Sequence, residues 1–96
     1  MVQAAAQLNQ IPVIPDGVAW RAYDGEVLVV RVTDGQLLTL SGVGSFAYEH
    51  FDGRADLTSV AQAICSEFDV TEETACDDLL AFADDLHRRC LIDWVE

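Results

Sequence analysis

The sequence contains no lysine: its 5 basic residues are all arginine, set against 17 carboxylates, for a formal net charge of −12. Binding nucleic acid by phosphate neutralisation needs a basic face, which so few cations cannot easily build. An anionic membrane surface is disfavoured for the same reason. Cysteine is scarce and odd in number, with Cys65, Cys76 and Cys90 forming no CxxC pair. That is not a secreted disulfide framework, and it points to a reducing compartment. No long apolar run exists: the longest is Leu79–Ala83, far short of a membrane span. Residues 1–15 have neither the positive start nor the apolar stretch of a signal peptide, so a cytoplasmic location is expected. Disorder would suit the charge, but 51% apolar residues is too much core-forming material for it.

What remains is one small domain of 96 residues, with room for a single core and not for a deep enclosed cavity. Residues 1–15 read as a flexible or strand-like arm, extended by Pro12 and Pro15, with the domain proper over 16–96. Val18–Tyr23 and Glu26–Val32 flank Asp24-Gly25, the strongest short hairpin signal. Thr33-Asp34-Gly35 separates the second run from Gln36–Leu40. The reading is a three-stranded antiparallel meander. Its middle strand, Val27-Leu28-Val29-Val30, is apolar at every position and so is expected to be covered on both faces.

After Leu40 the apolar period becomes helical. Ser41 can cap a first helix carrying Val43, Phe46, Ala47 and Phe51, stopped at Asp52-Gly53. Asp56 or Thr58 starts a second, with Leu57, Val60, Ala61, Ile64 and Phe68 as its stripe. Thr71 caps a third, with Glu72 and Glu73 in its first turn and Arg88 and Arg89 in its last, the signs the helix dipole favours. Leu91, Ile92, Trp94 and Val95 form an apolar tail expected to fold back on the core. The fold class is α+β: a winged helix-turn-helix-like domain, the meander followed by three α-helices.

Catalytic constellations are missing. His50 and His87 lie in no metal or nucleophile pattern, the cysteines sit on or beside apolar stripes as small hydrophobes, and Gly42-Val43-Gly44 lacks the rest of a phosphate loop. Asp77-Asp78 and Asp84-Asp85 share one helix face and read as a solvated acidic surface. No catalytic residue, metal site or cofactor is expected. The feature left over is the short third strand, whose outer backbone groups lie at a sheet edge. Such an edge is either protected or used. Used, it accepts an extended peptide as an added strand, or a second copy of itself in a weak homodimer.

The order and spacing of several short motifs resemble the PqqD family. Leu40, Ser41 and Gly44 stand where that family reads Leu-Asn-x-x-Gly, and Phe51-Asp52-Gly53 where it reads Leu-Asp-Gly. Phe68-Asp69-Val70 is similar to its Tyr-Asp-Val. Asp78, Phe82 and Leu86 fit its Asp-Val-x-x-Phe-x-x-x-Leu, and Cys90-Leu91-Ile92 its Gly-Leu-Ile ending. The likeness runs from about Asp16 to Ile92. It departs at Ser41 and Cys90, which replace the usual Asn and Gly. The resemblance implies a peptide-recognition element for ribosomally made, post-translationally modified peptides, with no catalysis of its own. It would bind the leader of a precursor against the third strand and present it to a modifying enzyme. That enzyme is a radical S-adenosylmethionine protein in coenzyme PQQ synthesis, a leader peptidase in lasso-peptide synthesis, or another maturase. Carried over, the groove is Gln36, Leu37, Leu38, Thr39 and Leu40 on one side, and Cys76, Leu80, Ala83, Asp84 and His87 of the third helix on the other.

Three alternatives stand beside it: a PqqD-like chaperone of an HPr-kinase-related system, a winged-helix nucleic-acid binder, and a small enzyme. The acidity of the third helix also implies a basic leader or enzyme, with Asp84 and Asp85 speeding encounter.

Overall fold

The computed structural model describes residues 6–96. In chain order the elements are β1 (Pro12–Val13), β2 (Val18–Tyr23), β3 (Glu26–Arg31), β4 (Gln36–Ser41), α1 (Gly42–Glu49), α2 (Leu57–Glu67), α3 (Glu72–Arg88) and β5 (Asp93–Trp94). The meander and the three helices fall where hydropathy and turn residues place them. The β2–β3 hairpin has positive φ at both loop residues, Asp24 (52°) and Gly25 (80°), the conformation a two-residue loop needs to match strand twist. All three strands pair antiparallel in the order β2-β3-β4, with Val29 between Trp20 and Leu38.

The helices cover one face of this sheet only. Val27 and Val29 of β3 are completely buried, whereas Leu28 between them is 40% exposed, and Leu37, paired with Val30, 65%. This corrects the expectation of a doubly covered central strand. Successive side chains on a strand alternate faces, and among the described residues no element covers the outer one. The core lies between the inner sheet face and the helices, with Tyr48, Phe51, Leu57 and Ile64 among its largest buried side chains.

Two helix starts are capped as expected: Asp56 accepts from the Ser59 N–H, and Thr71 from the Thr74 N–H. Ser41 occupies the N-cap position of α1, but its side chain makes no capping bond. Ser45, one turn on, instead donates to the Gly42 carbonyl at 2.9 Å.

The described part of the N-terminal arm is tied to the body. Pro12–Val13 pairs with Asp93–Trp94 in a ribbon, and the Val95 and Gly53 N–H groups donate to the Ile11 and Pro12 carbonyls. The Leu8 and Gln10 carbonyls accept from Thr58 and Leu57, donors at the start of α2 that no intrahelical partner can satisfy. Residues 6–14 thus close the α2 N-terminus, and residues 1–5 of the expected arm lie outside the described part.

α3 ends in a Schellman motif. The Cys90 N–H donates to the His87 carbonyl, and the Leu91 N–H to the Leu86 carbonyl. Cys90 sits at φ 61°, a conformation that favours glycine, and its side chain is exposed. It is therefore not the small buried hydrophobe that helical spacing suggests. The turn drives Leu91 and Ile92 into the core, as expected for the tail; Trp94 is half-buried, and Val95, expected with them, is exposed.

Candidate peptide-binding groove

The direction of each strand's backbone groups follows from the hairpin. A two-residue loop is closed by a hydrogen-bonded pair, here Tyr23 and Glu26. Alternation then sends the N–H and C=O of Glu26, Leu28 and Val30 toward β2, and those of Val27, Val29 and Arg31 toward β4. The Val32 N–H, next in the even series, donates to the Gly17 carbonyl at 2.9 Å on the β2 side, which agrees. On β4, Gln36, Leu38 and Leu40 therefore face β3, while the backbone groups of Leu37 and Thr39 point to the open edge. Among the described residues no strand pairs with that edge.

Beside the edge lies α3. The ring of Phe82 comes within 3.6 Å of the point where a Gly44 side chain would begin, and Leu40 lies 4.0 Å from the same point. At the other end, a small hollow of about 80 Å³ is lined by Leu37, Leu38, Arg89 and Leu91. Arg31 bridges this end: it forms an ion pair with Asp34 in the β3–β4 turn and donates to the Arg89 carbonyl at the end of α3. The same hydrogen bond to Arg31 holds the Asp34 carboxyl below its ordinary pKa, and that to Asp34 raises the guanidinium's. One side chain thus fixes the hairpin tip against the helix and sets the width of the groove between them.

The five β4 residues named from the sequence all lie on this edge, with Leu38 and Leu40 facing inward and Leu37 and Thr39 outward. The α3 residues named with them do not join it. Cys76, Leu80, Ala83 and His87 share a stripe about a third of a turn away from Phe82. The His87 ring lies 5.5 Å from that of Trp94, next to the β1–β5 ribbon. The Cys76 thiol is pushed up by burial and by nearby acidic groups, with Cys65 of α2 among its neighbours. Ala83 is completely buried. Asp84 pairs with Arg88 at 2.7 Å and Asp85 with Arg89 at 3.1 Å, so their charges are largely matched along the helix. The stripe on the groove side is Asp78, Phe82 and Arg89. Phe82 was legible as part of a family motif; the bridge from Arg31 to α3 gave no sequence signal, because the Arg89 carbonyl it reaches lies far along the chain.

Among the described residues no three His, Cys, Asp or Glu side chains are placed to hold a metal ion, and no helix is long and apolar enough to cross a membrane.

The family model for coenzyme PQQ synthesis protein D (PqqD) matches residues 26–92, from β3 through the Schellman turn to Ile92. The chain belongs to the PqqD family. Two solved structures share the fold of this PqqD-family chain. One is TbiB1 in complex with the TbiA(beta) leader peptide, with a TM-score of 0.79 at 27% identity, covering 84% of this chain and 94% of that one. The other is a lasso peptide synthetase B1 complexed with the leader peptide, with a TM-score of 0.77 at 16% identity, covering 86% and 98%. A search of curated proteins gave no match. The family's usual glycine in its Gly-Leu-Ile ending corresponds to Cys90, the residue held at positive φ. The Schellman turn is thus kept here by a residue that tolerates it less well.

Proposed function

We propose that this chain is a non-catalytic adaptor that binds the leader segment of a ribosomally made precursor and presents it to a modifying enzyme. The reading rests on the open β4 edge, whose Leu37 and Thr39 backbone groups point into a groove walled by α3. The leader peptides named with both solved relatives support it. The lasso type, with a leader peptidase as the presented enzyme, is the closer parallel, since one relative carries that name.

Magnitudes show what such a site requires. Four edge hydrogen bonds contribute about 1 kcal/mol each, net of water. Ordering five peptide residues costs about 1–2 kcal/mol each in backbone entropy. Pairing alone therefore does not hold the peptide. Each bulky apolar side chain removed from water adds about 1.5–3 kcal/mol, so the hollows beside the strand decide affinity.

The test is a titration of isotope-labelled protein with a precursor leader peptide. Amide shifts are expected to cluster on 36–41 and on the Asp78–Arg89 side of α3. Saturable binding with shifts confined to the outer sheet face or the β2 edge would refute the groove.

A further inference from the structure

Beyond Leu40 the groove opens into a second, larger hollow of about 210 Å³ between the first turn of α1, the end of α2 and the first half of α3. Val43, Ala47, Ile64, Val70, Leu79 and Phe82 line it, and Asp78 stands at its exposed rim. Gly44 forms part of its wall, and a side chain begun there would first meet the Phe82 ring at 3.6 Å and Leu40 at 4.0 Å. The apolar walls offer few partners for ordered water, and an apolar cavity of about 150 Å³ is enough for a benzene ring. We infer that this hollow is the dominant anchor socket for the bound peptide, taking one bulky apolar side chain next to a basic residue that faces Asp78.

The inference rests on the leader-binding reading and specifies the ligand's chemistry. Continuity places the socket on the ligand's path, because Phe82 and Gly44 border both the hollow and the strand groove at Leu40. An extended peptide paired along β4 and running past Leu40 arrives over α1's first turn. Its anchor therefore lies beyond the residue that faces Leu40, on the same side of the peptide. Charge supports the basic neighbour. Asp84 and Asp85 are matched by Arg88 and Arg89, whereas Asp77 and Asp78 have no ion pair among the described residues. This moves the expected electrostatic steering from the end of α3 to its first half.

The experiment selects a randomised peptide library on the wild-type chain and on Gly44→Leu, then measures the enriched peptides on both. Gly44→Leu grows into the hollow from helical backbone, meets only ordinary contacts at its first carbon, and replaces the weaker helix former. A thermal melt verifies that it folds. The expected result is a wild-type consensus with a bulky apolar residue beside Arg or Lys, and about tenfold or weaker binding of those peptides to Gly44→Leu. Asp78→Arg, on the exposed rim, is expected to abolish the basic preference and keep the apolar one. Equal binding to wild type and Gly44→Leu overturns the socket and leaves the leader-binding reading standing. No enrichment on the wild type overturns both.

Discussion

Among the described residues the sheet has two open edges, and they differ in what stands beside them. On β2 the same alternation that frees Leu37 and Thr39 turns the backbone groups of Trp20 and Ala22 outward, while the Val18 N–H is taken by the Pro15 carbonyl. Trp20 leans edge-on over Tyr48, with ring centroids 6.0 Å apart. On β4 the flank is a helix wall with a hollow at each end. Both edges can offer hydrogen bonds, and hollows also reach β2 at Val18 and at Ala22 and Tyr23, but their walls carry charge (Arg31 and Asp93; Asp24, Glu26 and Glu49), whereas the hollow beside Phe82 is apolar except for Asp78 at its rim. Since backbone pairing barely offsets the ordering of a peptide, burial makes the difference.

The largest expected effect breaks that comparison directly. Thr39→Pro removes an outward N–H and adds a ring at an edge position where proline is tolerated. It should weaken peptide binding about tenfold or more with a near-normal melt. Ala22→Pro, the equivalent change on β2, should leave affinity unchanged; equal losses from both would show that the edges are not distinct. Tyr48 lies in the core against Trp20, its hydroxyl donating to the Leu91 carbonyl at 3.0 Å. Tyr48→Phe strands that carbonyl and should cost about 1–3 kcal/mol in denaturant unfolding.

Arg31→Ala unfastens the hairpin tip from α3. We expect affinity to fall several-fold with little change in melting temperature, because exposed ion pairs contribute little to stability. Cys90→Gly relieves the left-handed residue and should stabilise the fold by about 1 kcal/mol, with no effect at either edge. The smallest effect is one of pH. The Asp34 carboxyl has a depressed pKa, so its contribution is present above the unfolded value, about 4, and is lost as pH falls through the folded one. The difference in melting temperature between wild type and Asp34→Asn should therefore narrow as pH falls below about 4, the unfolded value, toward the lower folded one. A constant gap would show that Arg31 does not hold Asp34.

Much of the candidate site was legible because it is local. Asp24-Gly25 specifies a tight loop, and a tight loop fixes which β4 residues turn their backbone outward. The helix side was not legible from spacing. α3 carries apolar residues around more than half its circumference, including Ala75, Cys76, Leu79, Leu80, Phe82, Ala83 and Leu86. Periodicity says that such a helix is buried, but not which flank meets the sheet edge. The strap at 6–14 was hidden for a related reason: its bonds go to Asp93–Val95 and to the start of α2, far along the chain.

The sequence by itself determined the elements, their caps, the antiparallel meander and the excess of acid, since each follows from residues within one or two turns of each other. Only the tertiary structure decided that one sheet face stays open, that Arg31 spans from the hairpin to α3, and that Gly44 borders a hollow beside Phe82. These depend on how far apart packed elements come to rest. That distance is set by the combined volume of a shared core, which no local pattern encodes.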